Sequence, residues 1–170
     1  VVVPDNLSRG SLLIVTPAHQ YPTGVRMPPV AMHSLLDRAR AADCIVLEDD
    51  YDGEFHHSSA ATQALAAIDD LAGTIHVGTF SKSMFPGLRL AYMIVPHTLV
   101  DPIVRLRGLM DGQPSTPLQA AMAGFIRSGA FGRHLRDMRI LYARRKQTLE
   151  ASIANYCKGL LTPLTSDTGL

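Results

Sequence analysis

The sequence predicts an α/β fold built on a mainly parallel sheet. Short apolar runs alternate with segments of helical periodicity, which is the order of a strand–helix–strand fold. The first apolar runs are continuous rather than alternating, as in strands covered on both faces. Each of the first three runs is followed by a polar, turn-rich segment. In parallel sheets such segments lie along the carboxyl edge, where ligands bind.

Residues 11–16 (SLLIVT) form the first strand, stopped by Pro17. In residues 28–43, Val30, Met32, Leu35, Leu36 and Ala39 recur at helical spacing behind Pro28 and Pro29, which suit a helix start. Residues 44–47 are a second buried strand, residues 60–71 are weakly helical, and residues 74–78 and 88–95 are the third and fourth strands. After Pro96 the pattern turns helical, with helices over 99–110 and 117–127 and a long one from near Phe131 to near Leu160. On the long helix Leu135, Met138, Tyr142, Leu149, Ile153 and Tyr156 share one face, read as a core stripe. Arg133, Arg136, Arg139, Arg144, Arg145 and Lys146 then read as its solvated side, because no nucleic-acid-binding motif accompanies them. Residues 161–165 are expected to open a further strand.

A chain of 170 residues with 46% hydrophobic and 18% charged side chains suits one folded domain and argues against disorder. A net charge of +1 sets up no global field for nucleic acid or a membrane surface. Cys44 and Cys157 make no disulfide framework and read as buried thiols in a reducing cytoplasm. No apolar run reaches the ~20 residues of a membrane span, and no basic-then-apolar leader opens the chain. A cytoplasmic location without membrane association is therefore expected. The chain runs from Val1 to Leu170 without an initiator Met, as expected of a piece of a longer polypeptide.

The chemistry-bearing residues cluster after the first three strands. The 16 basic residues include only three lysines, Lys82, Lys146 and Lys158, and Lys82 stands in an apolar stretch after the third strand. A lysine beside apolar surface can supply a free amine for Schiff-base chemistry. Thr79, Ser81 and Arg89 place hydroxyls and a guanidinium nearby, which are good phosphate ligands. Together they suggest pyridoxal phosphate, although Lys82 alone also suits an ordinary surface loop. After the second strand, Asp49 and Tyr51 sit at i and i+2 and point the same way in an extended chain. A buried Asp there could pair with a pyridinium nitrogen and the Tyr with a ring hydroxyl. The same residues also read as a solvated acidic turn with Glu48, Asp50, Asp52 and Glu54. After the first strand, residues 19–24 (HQYPTG) contain a Pro-Thr-Gly turn. His56 and His57, beside Ser58 and Ser59, read as an exposed loop, because no second cluster completes a metal site.

Residues 16–24 (TPAHQYPTG), 48–55 (EDDYDGEF), 78–82 (GTFSK) and 85–90 (FPGLRL), in this order and spacing, closely resemble the aminotransferase-like domain of MocR-type transcriptional regulators of the GntR superfamily. The resemblance covers nearly the whole chain. It implies a three-layer α/β/α fold like the large domain of fold-type I pyridoxal-phosphate enzymes, with the four strands contiguous and the fourth antiparallel. Residues 1–160 would form part of that cofactor-binding domain, and residues 161–170 would begin a small C-terminal domain. Carried across by residue, Lys82 matches the Schiff-base lysine, Asp49 the partner of the pyridine nitrogen and Tyr51 the partner of the ring hydroxyl. Thr79, Ser81 and Arg89 match the phosphate ligands. Tyr21 departs from the family enzymes' Asn, whose contact falls to His19 or Gln20. The family's Gly-rich phosphate segment and its late substrate-gripping arginine have no counterpart here. The resemblance further implies an amino compound or the cofactor itself as effector, a homodimer when full length, and DNA contact through an N-terminal winged helix-turn-helix. The alternative is a working aminotransferase acting on an amino acid, with Lys82 as both Schiff-base former and proton shuttle. A third reading is a structural piece that keeps the fold without a function.

Overall fold

The computed structural model describes residues 7–56, 63–110, 112, 114–163 and 168–169. Strands β1 (Leu12–Val15), β2 (Ile45–Asp50), β3 (Thr74–Thr79) and β4 (Ala91–Ile94) form one sheet in the order β1-β2-β3-β4. The first three are parallel, with Leu13 opposite Val46 and Asp49 opposite Val77. β4 returns antiparallel and sets Tyr92 opposite Gly78. Contiguous strands with an antiparallel fourth are what the resemblance implies.

Helix α1 (Pro29–Ala41) crosses between β1 and β2. It buries Met32, Leu35, Leu36 and Ala39, one face at helical spacing, against Val46, Cys44 and Leu65. Each large side chain so buried contributes about 1.5–3 kcal/mol. Val30 lies off that face and is exposed, contrary to the sequence expectation.

Sheet alternation sends Leu13 and Val15 into this core, while Leu12 (53% exposed) and Ile14 (66%) point away from it. Among the described residues the first strand is therefore covered on one face, not on both as its continuous apolar run suggests. The second strand shows the same split, with Val46 buried and Ile45 exposed.

Glu48, on the covered face of β2, is 2% exposed and explains the start of α2 (Leu65–Ile68). Its carboxylate accepts the Leu65 N–H at 2.9 Å, the Ala66 N–H at 3.2 Å and His76 Nδ1 at 3.0 Å. The Glu48 hydrogen bond, against the opposing effect of burial, holds the His76 imidazole above its usual range. Of the weakly helical 60–71 segment only this one short helix forms among the described residues, and residues 60–62 lie outside them.

β3 runs into a one-turn helix, α3 (Phe80–Ser83), where Thr79 Oγ1 caps the Ser81 N–H at 3.1 Å. The fourth strand is shorter than its apolar run. Pro86–Leu88 form a 3-10 turn, and Arg89 adopts the left-handed conformation (φ 51°) before β4 begins at Ala91. Proline fixes the turn's first dihedral, and the turn breaks the extended run. Leu88 and Leu90 pack with Met122 of α5 (Thr116–Arg127), alongside Phe80, Phe125 and Phe131. That aromatic cluster ties the α3 segment to α5 and to α6 (Ala130–Tyr156). His134 adds a 2.8 Å hydrogen bond from Nε2 to the Ser83 carbonyl.

The stripe on α6 is only partly a core stripe. Tyr142 meets Phe55 edge-on at 5.1 Å, but Leu149 (61% exposed) and Tyr156 (84%) lie beyond the packed end. Arg139 leaves the expected solvated side, and its Nε donates to the Glu54 carbonyl at 2.6 Å. α4 (His97–Met110) buries none of its side chains. Cys44 is buried, whereas Cys157 is half-buried. Residues 161–163 form no strand, and residues 164–165 lie outside the described set. No helix among the described residues is long and apolar enough to cross a membrane.

Candidate functional site

Three parallel neighbouring strands bring their following segments to one rim. There His19, Tyr21, Pro22, Thr23 and Gly24 after β1, Tyr51 and Asp52 after β2, and Lys82 on α3 line a cleft of about 440 Å³. Thr168 and Gly169 close one side of it.

The first wall is a tight loop. The Gln20 N–H bonds Val25 O at 3.0 Å, and the Gly24 N–H bonds Gln20 O at 2.7 Å with Gly24 at φ 70°. The Gln20 amide donates to the Tyr21 carbonyl and accepts from the Thr23 hydroxyl, so Gln20 is spent on the loop itself. The Tyr21–Pro22 peptide is cis.

The second wall begins where β2 ends. Asp50 accepts the Gly53 N–H at 2.9 Å, and a Cβ on Gly53 would fall 2.3 Å from Asp50 Oδ1, so a side chain there would push the Asp50 carboxylate off this hydrogen bond. Tyr51 donates its phenolic proton to the His19 carbonyl at 2.9 Å, and the two rings stack with centroids 5.7 Å apart. Burial, reinforced by the charges of Asp52 and Asp49, pushes the Tyr51 phenol up to about 12. Asp52 is 4% exposed, and its Oδ2 pairs with His19 Nδ1 at 2.7 Å. Its Oδ1 is buried without a hydrogen-bond partner. Burial raises the Asp52 carboxyl above its ordinary range, against the opposing pull of His19 and Lys82. Burial likewise raises Asp50 and Glu54.

Of the six residues singled out from sequence, Lys82 and Tyr51 line the cleft directly. Asp49 is half-buried on β2 and close enough for its charge to act on Tyr51. Thr79 and Ser81 flank the start of α3, where the Thr79 hydroxyl caps Ser81 and donates to Leu90 O at 3.4 Å. Arg89 is exposed in its left-handed conformation. None of these last four lines the cleft. The cleft adds Asp52, Thr168 and Gly169, which the sequence reading did not single out. Asp52 carried a faint signal as a member of the acidic cluster, but nothing local marks Thr168 or Gly169. His56 is half-buried and bridges to Thr168 rather than standing in an exposed loop, while His57, Ser58 and Ser59 fall outside the described residues.

Comparison with known proteins gives the family and the fold. The family model for aminotransferase class I and II matches residues 5–170. The chain is 37% identical to the uncharacterized HTH-type transcriptional regulator YhdI of Bacillus subtilis (strain 168), over 99% of this chain and 36% of that protein. It is 36% identical to the probable rhizopine catabolism regulatory protein MocR of Rhizobium meliloti, over 94% of this chain and 32% of that protein. It thus spans about a third of the length of these curated relatives. In fold it matches the kynurenine aminotransferase of Pyrococcus horikoshii, solved in complex with PMP, with a TM-score of 0.84. That match has 24% identity and covers 94% of this chain and 39% of that one.

Proposed function

The chain belongs to the class I and II aminotransferase family, and from that membership we propose that it is the cofactor-holding part of a MocR-type, DNA-binding transcriptional regulator. In this reading pyridoxal phosphate is held through Lys82, and an amino compound is the effector. The observation that carries it is Lys82, on the short helix after β3, opening into a cleft it shares with Tyr51 at the carboxyl rim of three parallel strands. The regulator part rests on the resemblance to YhdI, an uncharacterized HTH-type transcriptional regulator, and to MocR, a probable rhizopine catabolism regulatory protein.

The donor set suits the cofactor. An amine, a carboxylate, a phenol, two hydroxyls and a guanidinium stand at or just after the ends of β2 and β3; the amine and the phenol line the cleft itself, which also holds the unsatisfied buried oxygen of Asp52. When bound, pyridoxal phosphate supplies an aldehyde carbon that bonds reversibly to amines and a ring that draws electrons from them. Lys82 offers the amine. Asp49 would accept the ring N–H in a charge-assisted hydrogen bond. Tyr51 stays protonated at neutral pH and donates to the His19 carbonyl, so its oxygen would be free to accept from the ring hydroxyl. Thr79, Ser81 and Arg89 would serve the phosphate. Residues 1–160 then form part of the cofactor domain and residues 161–170 the start of a small domain, with the full-length protein a homodimer.

The test is visible absorbance of the full-length protein reconstituted with pyridoxal phosphate. We expect a band that Lys82→Ala abolishes, and a band surviving that substitution would sink the assignment. Adding amino acids separates regulator from enzyme. A spectral change without sustained oxo-acid production supports the regulator, and sustained production supports an aminotransferase.

A further inference from the structure

The His19–Asp52 pair is not used by the roles assigned above. It stands in the same cleft as Lys82 and has the form of a proton-handling dyad. Asp52 is buried and holds Nδ1 of His19 at 2.7 Å. The carboxylate's remaining oxygen has no partner, so its charge is poorly satisfied by the protein. An ionised carboxylate only accepts, so the Nδ1 facing it carries the hydrogen and donates, and the neutral ring of that tautomer has its lone pair on Nε2. Among the described residues Nε2 makes no hydrogen bond to the protein. Tyr51 packs on the ring and locks it from the side through stacking and through the His19 carbonyl. The charged and titratable groups around the pair are Lys82 from α3, Tyr21 from the first loop, and Tyr51, Asp49, Asp50 and Glu54 from the β2 end and the turn after it.

An amino compound reaches this cleft at neutral pH as an ammonium ion. It has no lone pair with which to displace the Lys82 nitrogen until it loses a proton. We infer that His19 Nε2 is the proton acceptor for incoming amines, with Asp52 as the residue that positions and charges it. The N–H bond of the ammonium breaks, its electron pair stays on the amine nitrogen, and the proton is held on Nε2 beside the Asp52 carboxylate. The same proton is returned to the Lys82 nitrogen as that nitrogen is released, so no charge accumulates and no oxidant or reductant is needed. This inference rests on the reading that Lys82 carries pyridoxal phosphate.

The experiment is stopped-flow absorbance of the loaded full-length protein on mixing with propylamine or with methoxyamine. Propylamine is a cation at neutral pH and needs a proton acceptor. Methoxyamine is already neutral and needs none. His19→Gln keeps an N–H for Asp52 but removes the basic nitrogen. It is expected to slow the propylamine reaction about 100-fold, within the range of general-base catalysis, and to leave methoxyamine at the wild-type rate. Asp52→Asn should slow propylamine by about tenfold with the same selectivity. His19→Ala, a second route if His19→Gln folds poorly, should regain propylamine reactivity when imidazole is added. Equal slowing of both amines would show His19 to be a structural residue and overturn the inference, as would no slowing of either. A wild-type protein with no Lys82-dependent absorbance would instead overturn the cofactor reading, and this inference with it.

Discussion

Replacing Glu48 by Gln removes half of a buried junction without changing its shape. The carboxylate receives three N–H donors, two at Oε2 and one at Oε1. A Gln side chain has one acceptor oxygen, best placed where Oε2 stands, to serve Ala66 and His76. Its NH2 then faces the Leu65 N–H, donor against donor, at a site 2% exposed. The exchange forfeits a charge-assisted hydrogen bond and strands a buried N–H, and we expect about 3 kcal/mol of local destabilisation. The assay is native-state hydrogen exchange in the full-length protein, because a multidomain chain has no single unfolding free energy. A loss of that size speeds exchange of the Leu65 and Ala66 amides roughly 100-fold if they open locally. Amides of α1, which has its own core face, should change far less. Wild-type exchange at Leu65 and Ala66 would refute the claim that Glu48 holds α2 to the sheet.

The same pair gives a pH dependence. His76 is raised in the folded state, so its contribution is fully present below the usual histidine range and is lost as pH rises through the folded value; native-state exchange of the Leu65 and Ala66 amides should lose protection across that window, a loss that His76→Gln removes. Gly78→Ala should cost about 1–3 kcal/mol, because a Cβ there falls 2.2 Å from Tyr92 Cζ and must displace the ring. Combining it with Tyr92→Ala should relieve most of that cost, and additive losses in the double-mutant cycle would show that the ring is not the obstacle. Asp49→Ala should weaken pyridoxal phosphate binding by roughly 1.5–3 kcal/mol, the worth of a charged hydrogen bond, and Asp52→Ala far less; equal losses in a cofactor titration would mean the ring nitrogen has the wrong partner.

The sequence by itself determined the order of elements, the sheet's direction and the segments that meet at its rim. Strand and helix periods are local properties, and parallel strands joined by crossovers leave their following loops at one edge. Lys82 and Tyr51 each also suit an ordinary loop or acidic turn, and it is the resemblance of the combined motifs that singles them out; the structure places both in one cleft. Only the tertiary structure decided what lies across from what. Asp52 looked like one more member of an acidic turn, and it became a buried partner of His19, 33 residues away, through the packing of two loops. Glu48 and His76 lie 28 residues apart and meet only because β2 and β3 pair in one register. Thr79, read as a phosphate ligand, is also the cap of α3, and Leu88 and Arg89 left the expected strand for a turn that the aromatic cluster beneath it holds in place. Hydrogen-bond partners distant in the chain leave no period in the sequence, because the register of the sheet, and not the local pattern, selects them.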